Sequence, residues 1–268
     1  MRKRRKELPV GLTHNPPPPQ KRETGEVPPP YYTNTGEYNM QVQPKQYIFP
    51  PRPKDAIPRD QTQILGDMGW LAQLKFNDTR CLVKLLPNRV NELWSRHGER
   101  IRSYNCPDWL KNQIEELRDQ LGLDKNNYHL LDGGLLDQKH RAIKDTIVVW
   151  DILVRDSEHL LGTTYLERYQ SIQPAEEIPW YWSHNENHRF GSSYTPNIFI
   201  PEYHPAPKWP ELWEMIEEVN KPYENIAGPL LEGLVFKNPK GTLGMGLSEK
   251  NNANWLMRSR VTTGRHTF

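Results

Sequence analysis

The chain has 268 residues, enough for one large domain or two small ones with a substantial core, and a formal net charge of +2, which excludes a generic polyanion binder. Hydrophobic residues make up 35% and the mean hydropathy is -0.85, low for a compact globule, so part of the chain contributes nothing to a core. No run approaches the roughly 20 apolar residues of a membrane span, the basic start Met1-Arg2-Lys3-Arg4-Arg5-Lys6 lacks the apolar stretch of a secretory signal, and Cys81 and Cys106 are too few for a disulfide framework. The expectation is a soluble, cytoplasmic, monomeric protein.

Residues 1–60 are crowded with proline, including Pro16 to Pro19 and Pro28 to Pro30, and lack apolar periodicity. They read as an extended, mostly disordered basic arm that first docks at Tyr47-Ile48-Phe49, followed by one domain over 61–268. The ordered pattern begins near Ile64. Runs at Trp70 to Phe76, Cys81 to Leu86 and Val90 to Trp94, separated by Asn77-Asp78-Thr79 and Pro87-Asn88, predict an antiparallel meander. Pro107 to Leu121 carries Trp109, Leu110, Ile114, Leu117 and Leu121 at helical spacing and stops at Gly122. His129 to Leu136 and Thr146 to Val154 read as strands, the second β-branched as buried strands are. Helical patterning returns at Thr164 to Tyr169 and Glu211 to Val219, and the proline- and aromatic-rich stretch Gln173 to Pro210 between them gives no readable element. Leu230 to Phe236 and Trp255 to Arg260 read as closing strands. Strands and helices intersperse without βαβ regularity, so the predicted class is α+β with mainly antiparallel sheets.

Residues that can carry chemistry fall in short segments along this framework. Gln73-Leu74-Lys75-Phe76-Asn77-Asp78-Thr79-Arg80 sets a lysine at the end of one strand and an arginine at the start of the next, so that a tight turn brings both side chains together. A lysine amine is nucleophilic only when neutral, and a nearby cation or metal favours that form. Ser95-Arg96-His97-Gly98 places an arginine on a hairpin, and Asp132-Gly133-Gly134 lies at a strand end. Trp150-Asp151 puts an indole in a buried type of strand, suited to stacking on a purine or, in the plainer reading, to the core. In Glu232-Gly233-Leu234-Val235-Phe236-Lys237, Glu232 is a hard oxygen donor for Mg²⁺. Strict alternation there puts Glu232, Leu234 and Phe236 on one face and Val235 and Lys237 on the other. Arg258 and Arg260 alternate on the last strand. Gly241-Thr242-Leu243-Gly244-Met245-Gly246 lacks the lysine and serine of a phosphate loop and reads as a flexible loop; His184, His188 and His204 read as surface histidines rather than a zinc site.

In this order the segments resemble the motifs of the covalent-lysine nucleotidyltransferases, the superfamily of ATP-dependent DNA and RNA ligases and of capping enzymes, and the resemblance runs from about Ile64 to Arg260. The family's nucleophile motif is lysine, any, aspartate, glycine, any, arginine; Lys75 and Arg80 match it, while Asn77 and Asp78 stand at the middle positions, both types that tolerate a tight turn. The segment around Arg96 is similar to the family's serine-arginine-any-glycine, and Leu166-Glu167-Arg168 looks like its glutamate-arginine helix. Asp132-Gly133-Gly134 resembles aspartate-glycine-glutamate with the acid absent at Gly134. The match at Glu232 to Lys237 is close, and Arg258 and Arg260 replace a lysine-led pair, keeping the charge on a bulkier, planar group.

The resemblance implies a nucleotidyltransferase fold of the ATP-grasp-like ligase adenylation type, with antiparallel sheets flanked by helices and the nucleotide in the groove between them. It implies ATP and Mg²⁺ or Mn²⁺ as cofactors and nicked or broken DNA or RNA as partner. Lys75 would form lysyl-AMP with Arg258 and Arg260 assisting; Gln73, Arg80, Arg96, Trp150 and Lys237 would bind the nucleotide. Glu232 and Asp132 would hold the metal, with Asp132 or Asp137 partly replacing the acid missing at Gly134. Larger relatives append an OB-fold; eight residues follow Arg260, so none is expected, and the basic arm and Gln173 to Pro210 are the expected duplex contacts. The competing readings are a GTP-using capping guanylyltransferase, a nucleic-acid-binding relative that has lost catalysis, and an unrelated structural α+β domain.

Overall fold

A computed structural model of the chain describes residues 40–88, 90–137, 139, 143–181, 188–223 and 228–261. In chain order the elements are β1 (Arg52–Ala56), α1 (Gln63–Asp67), β2 (Leu71–Phe76), β3 (Thr79–Leu85), β4 (Glu92–Ser95), α2 (Asp108–Gln120), β5 (His129–Leu136), β6 (Thr146–Arg155) and β7 (Glu158–His159). Then follow α3 (Tyr165–Ser171), β8 (Ile178–Tyr181), β9 (Arg189–Thr195), β10 (Ile198–Pro201), α4 (Trp209–Asn220), β11 (Leu231–Lys237) and β12 (Asn252–Arg260). They form a four-stranded sheet, β1-β12-β11-β2, and an eight-stranded sheet, β4-β3-β5-β6-β10-β9-β8, with β7 beside β6. Pairing is antiparallel except for β1 with β12 and β10 with β6. The class is α+β, as the interspersed patterns indicate.

Alternation sets the faces of β2. Ala72, Leu74 and Phe76 enter an apolar layer with Leu234 and Phe236, which turns Gln73 and Lys75 to the opposite side. Leu212, Trp213 and Ile216 of α4 belong to the same layer, and each such side chain taken from water contributes about 1.5–3 kcal/mol. In α2, Leu110, Ile114 and Leu117 join Cys81, Val83 and Leu131 in a second cluster. Thr164 and Glu167 form a reciprocal capping box that starts α3.

The expected meander is divided between the two sheets. β3 pairs with β4 as anticipated, but β2 pairs with β11, and the link Asn77-Asp78 crosses from one sheet to the other. The cause lies in Asn77, whose backbone N–H donates to Leu230 O at 2.9 Å and whose amide donates to Pro229 O at 2.9 Å, tying the turn to the approach of β11. Lys75 and Arg80 consequently stand on different sheets.

Ordered structure begins earlier than proline content indicates. Val42 and Ile48 are buried with Leu82, Tyr128 and Leu130, and β1 adds to the edge of β12 by parallel pairing. Tyr47 donates to Ser95 O at 2.6 Å and helps enclose the buried Lys84 amine, which lies 3.7 Å from the Trp94 ring centre and 6.0 Å from that of Tyr128. Burial pushes that amine down to about 8. The basic tip Met1 to Lys6 lies outside the described residues.

Candidate active site

The two sheets leave a cleft of about 410 Å³ lined by residues of β2, β3, β5, β6, β11 and β12, a volume within the range of small-ligand sites. On the β2 wall, Gln73 donates to Pro201 O at 2.8 Å, and Lys75 forms an ion pair with Glu232 in which both side chains are about four-fifths buried, at 18% and 21% exposure.

Glu232 reaches Lys75 because alternation fails at Gly233. That glycine has φ +137°, open to no L side chain at low cost, and a Cβ there would lie 2.1 Å from Ser259 O. The β2–β11 register slips between Leu231 and Gly233. This bulge puts Glu232 on the same face as Val235 and Lys237, all three lining the cleft, while Leu234 and Phe236 stay in the core. The face assignment expected from strict alternation is corrected accordingly.

Arg260, across from Gly233, approaches the same Glu232 oxygen at 3.5 Å, and its buried Nε has no hydrogen-bond partner among the described residues. Burial works to raise the Glu232 carboxyl, but Lys75 and then Arg260 hold it below the usual carboxylate range. Arg258 lies beside Val235 on the cleft, its guanidinium pKa lowered by burial and by the neighbouring Arg260 and Arg52 charges. Lys237 is buried, with Tyr165 Oη at 3.3 Å and the Tyr165 ring centre at 4.3 Å; burial pushes its amine down to about 7.

On the other wall Arg80 is fixed by Asp132. Its Nε donates to Asp132 Oδ1 at 2.6 Å and its Nη2 donates both to Asp132 Oδ2 and, at 3.1 Å, to Pro51 O. Asp132 is 2% exposed, and both its oxygens are committed to Arg80. The Arg80 guanidinium stacks over Trp150 at 5.2 Å. Behind Trp150, Asp151 receives hydrogen bonds from Arg168 Nε at 2.8 Å and Nη2 at 3.0 Å, and Arg168 in turn lies 5.3 Å over Trp255.

Arg96 sits on the exposed rim, its Nε 3.1 Å from His97 Nε2. Asp137 pairs with Lys144 at 3.6 Å away from the cleft lining. His188 pairs with Glu218 at 3.2 Å, and His184 lies outside the described residues. Among the described residues no three His, Cys, Asp or Glu side chains converge as a metal cluster. Sequence reasoning missed the cleft positions of Asp78, Lys139 and Pro51 and the partner of Arg168. For Asp78 a signal existed: an acid where a tight turn accepts most small residues.

No family model matches the chain, and no curated protein does. Solved structures that resemble it include the ligase domain of LigD from M. tuberculosis, with TM-score 0.44 and 17% identity over 72% of this chain and 54% of that one. Another is the ATP-dependent DNA ligase of bacteriophage T7 in complex with ATP, with TM-score 0.43 and 16% identity over 77% of this chain and 67% of that one. A third, Pmar-Lig_PreS3, has TM-score 0.47 and 16% identity over 80% of this chain and 47% of that one. The chain spans about half the length of the LigD domain.

Proposed function

We propose that the chain is an ATP-dependent polynucleotide ligase in which Lys75 carries AMP and passes it to a 5′-phosphate at a break in DNA or RNA. The observation that carries this reading is the Lys75, Glu232, Arg260 cluster, with Arg258 and Lys237 on the same strands and a tryptophan on the facing sheet. A largely buried lysine in a cation-lined cleft suits attack on a phosphate ester better than any structural role, because no packing need explains Lys75 and Arg260 meeting on one carboxylate.

Lys75 Nζ, once deprotonated, attacks the α-phosphorus; a P–N bond forms, the bond from that phosphorus to the bridging oxygen breaks, and pyrophosphate leaves. Arg258, Arg260 and Lys237 stabilise the charge gathering on the phosphate oxygens. Arg80, locked by Asp132, and Trp150 hold the nucleoside. Mg²⁺ binds through one or two carboxylates with substrate phosphates completing its shell, and Glu232 is the cleft acid that would hold it once Lys75 has given up its proton and left the ion pair. When bound, Mg²⁺ or Mn²⁺ draws negative charge from the departing pyrophosphate. Asp132, being engaged by Arg80, serves this scheme by orienting Arg80. In the second half of the reaction the adenylylated 5′-phosphate is attacked by a 3′-hydroxyl and AMP departs.

The experiment is sealing of nicked DNA–DNA, RNA–RNA and mixed duplexes by the purified chain with ATP and Mg²⁺ or Mn²⁺, alongside self-labelling by ATP and by GTP. Sealing with ATP is the expected outcome, and preferential labelling by GTP identifies a capping-type enzyme. Failure to label with either nucleotide removes the enzymatic reading.

A further inference from the structure

We propose that Asp78 is a nucleotide-binding residue of this cleft, accepting a hydrogen bond from a sugar hydroxyl, and that position 134 is glycine to leave room for the Asp78 carboxylate. The inference rests on the reading of the cleft as a nucleotide site.

A Cβ built on Gly134 would lie 2.6 Å from Asp78 Cγ and 2.8 Å from both its Cβ and its Oδ1, distances no real side chain tolerates. Gly134 has no positive φ, so what glycine supplies there is space rather than backbone freedom. Arg80 pairs with Gly134 across β3 and β5, and Asp78, in the link that precedes β3, reaches back over the neighbouring strand. The two positions share one side-chain volume, so a side chain at 134 would displace the Asp78 carboxylate from where it stands. In this chain the occupant is a carboxylate.

That carboxylate lines the cleft with Lys75 and Glu232. Burial pushes it up to about 6 against the pull of Lys75, Lys139 and Arg80, so it is ionised at neutral pH at a desolvation cost that a donor from the ligand offsets. An ionised carboxylate accepts hydrogen bonds and repels phosphate. With Lys75 in contact with the α-phosphorus, the donors within one side chain's reach on a nucleotide are the sugar hydroxyls. The base belongs farther out: Trp150 lies two residues along β6 from Val148, the partner of Gly134, a step of roughly 7 Å. An acid between nucleophile and stacking platform therefore stands at the height of the sugar.

Calorimetric Kd values for ATP, 2′-deoxy-ATP and 3′-deoxy-ATP, with the full chain and no divalent cation so that Lys75 is not adenylylated, test the assignment. A hydrogen bond to a charged group implies that the wild type binds ATP about 10- to 100-fold more tightly than at least one deoxy analogue. Asp78→Asn, equal in size, should cut that ratio below about threefold, and Asp78→Gly combined with Gly134→Asp should restore it by returning an acid to the shared volume. An unchanged ratio in Asp78→Asn, no discrimination in the wild type, or a folded double variant that fails to regain the ratio overturns the inference; where the double variant does not fold, Asp78→Asn alone decides. Because binding is read without turnover, a wild type that discriminates the sugars but neither labels itself nor seals nicks contradicts the ligase reading and upholds the role of Asp78. A chain that binds no nucleotide overturns both.

Discussion

Lys237 sets a buried amine in the cleft proposed to take a triphosphate. Its folded-state pKa of about 7 lies below the usual 10.5, so between those values the unfolded chain holds more protons and this group's contribution to stability rises with pH. A triphosphate arriving beside it reverses the balance by favouring the ammonium. At pH 8, ATP binding should take up a fraction of a proton approaching one per chain, read from the dependence of binding enthalpy on buffer ionisation enthalpy. Lys237→Met should abolish the uptake and weaken ATP binding about tenfold or more. Enthalpies that do not vary with buffer in the wild type contradict the placement of Lys237 at the phosphates. At this scale the sequence identified most of the charged residues that line the cleft, because their types and order carry the signal. It did not reveal that Glu232 and Lys237 share a face, since a bulge at one glycine inverts the parity of everything after it. Nor did it reveal that Asp132 is consumed by Arg80, which depends on two strands being neighbours.

Among elements, the strand bearing Trp150 is fixed from behind by the pair Asp151 and Arg168, exposed by only 4% and 1%. Arg168 also donates to Thr163 O at 2.6 Å, anchoring the start of α3 to β6. Removing one partner strands a buried charge, which costs about 3–5 kcal/mol; at this size that is a fall in Tm of roughly 10 °C for Arg168→Met. Pairing it with Asp151→Leu should recover most of the loss by removing the orphaned carboxylate. A double variant as unstable as the single one would show that the contribution comes from packing on Trp255 alone. Helices α2 and α4 were legible because several apolar residues recur at helical spacing in each. β8, β9 and β10 were not, because two of them have only four residues with a proline among them, and the seven of β9 include a glycine and two serines that blur the alternation. β1 was hidden for another reason, its pairing with β12 joining residues 200 or more apart in sequence, as in Arg52 with Asn252.

Across the described molecule, the proposed function depends on two sheets meeting along one cleft. The link Asn77-Asp78 carries the chain from the sheet of Lys75 to that of Arg80, and the segment from Met40 to Ile57 runs along both, bonding to β7 at one end and to β12 at the other. Pro50 to Pro53 of this segment lines the cleft, and Arg80 bonds to Pro51 O, so a stretch that composition marks as arm belongs to the site. The α+β class was readable from the alternation of patterns; the division of the strands between two sheets was not, since it is decided by Asn77 and by which apolar faces meet. In the proposed reaction this arrangement makes Lys75 the nucleophile toward ATP. Intact-mass spectrometry of the purified chain after incubation with ATP and Mg²⁺ is the test: a gain of one AMP per chain is expected, mapped by proteolysis to Lys75 and absent in Lys75→Ala, whereas no gain in the wild type, or an equal gain in Lys75→Ala, rules that role out.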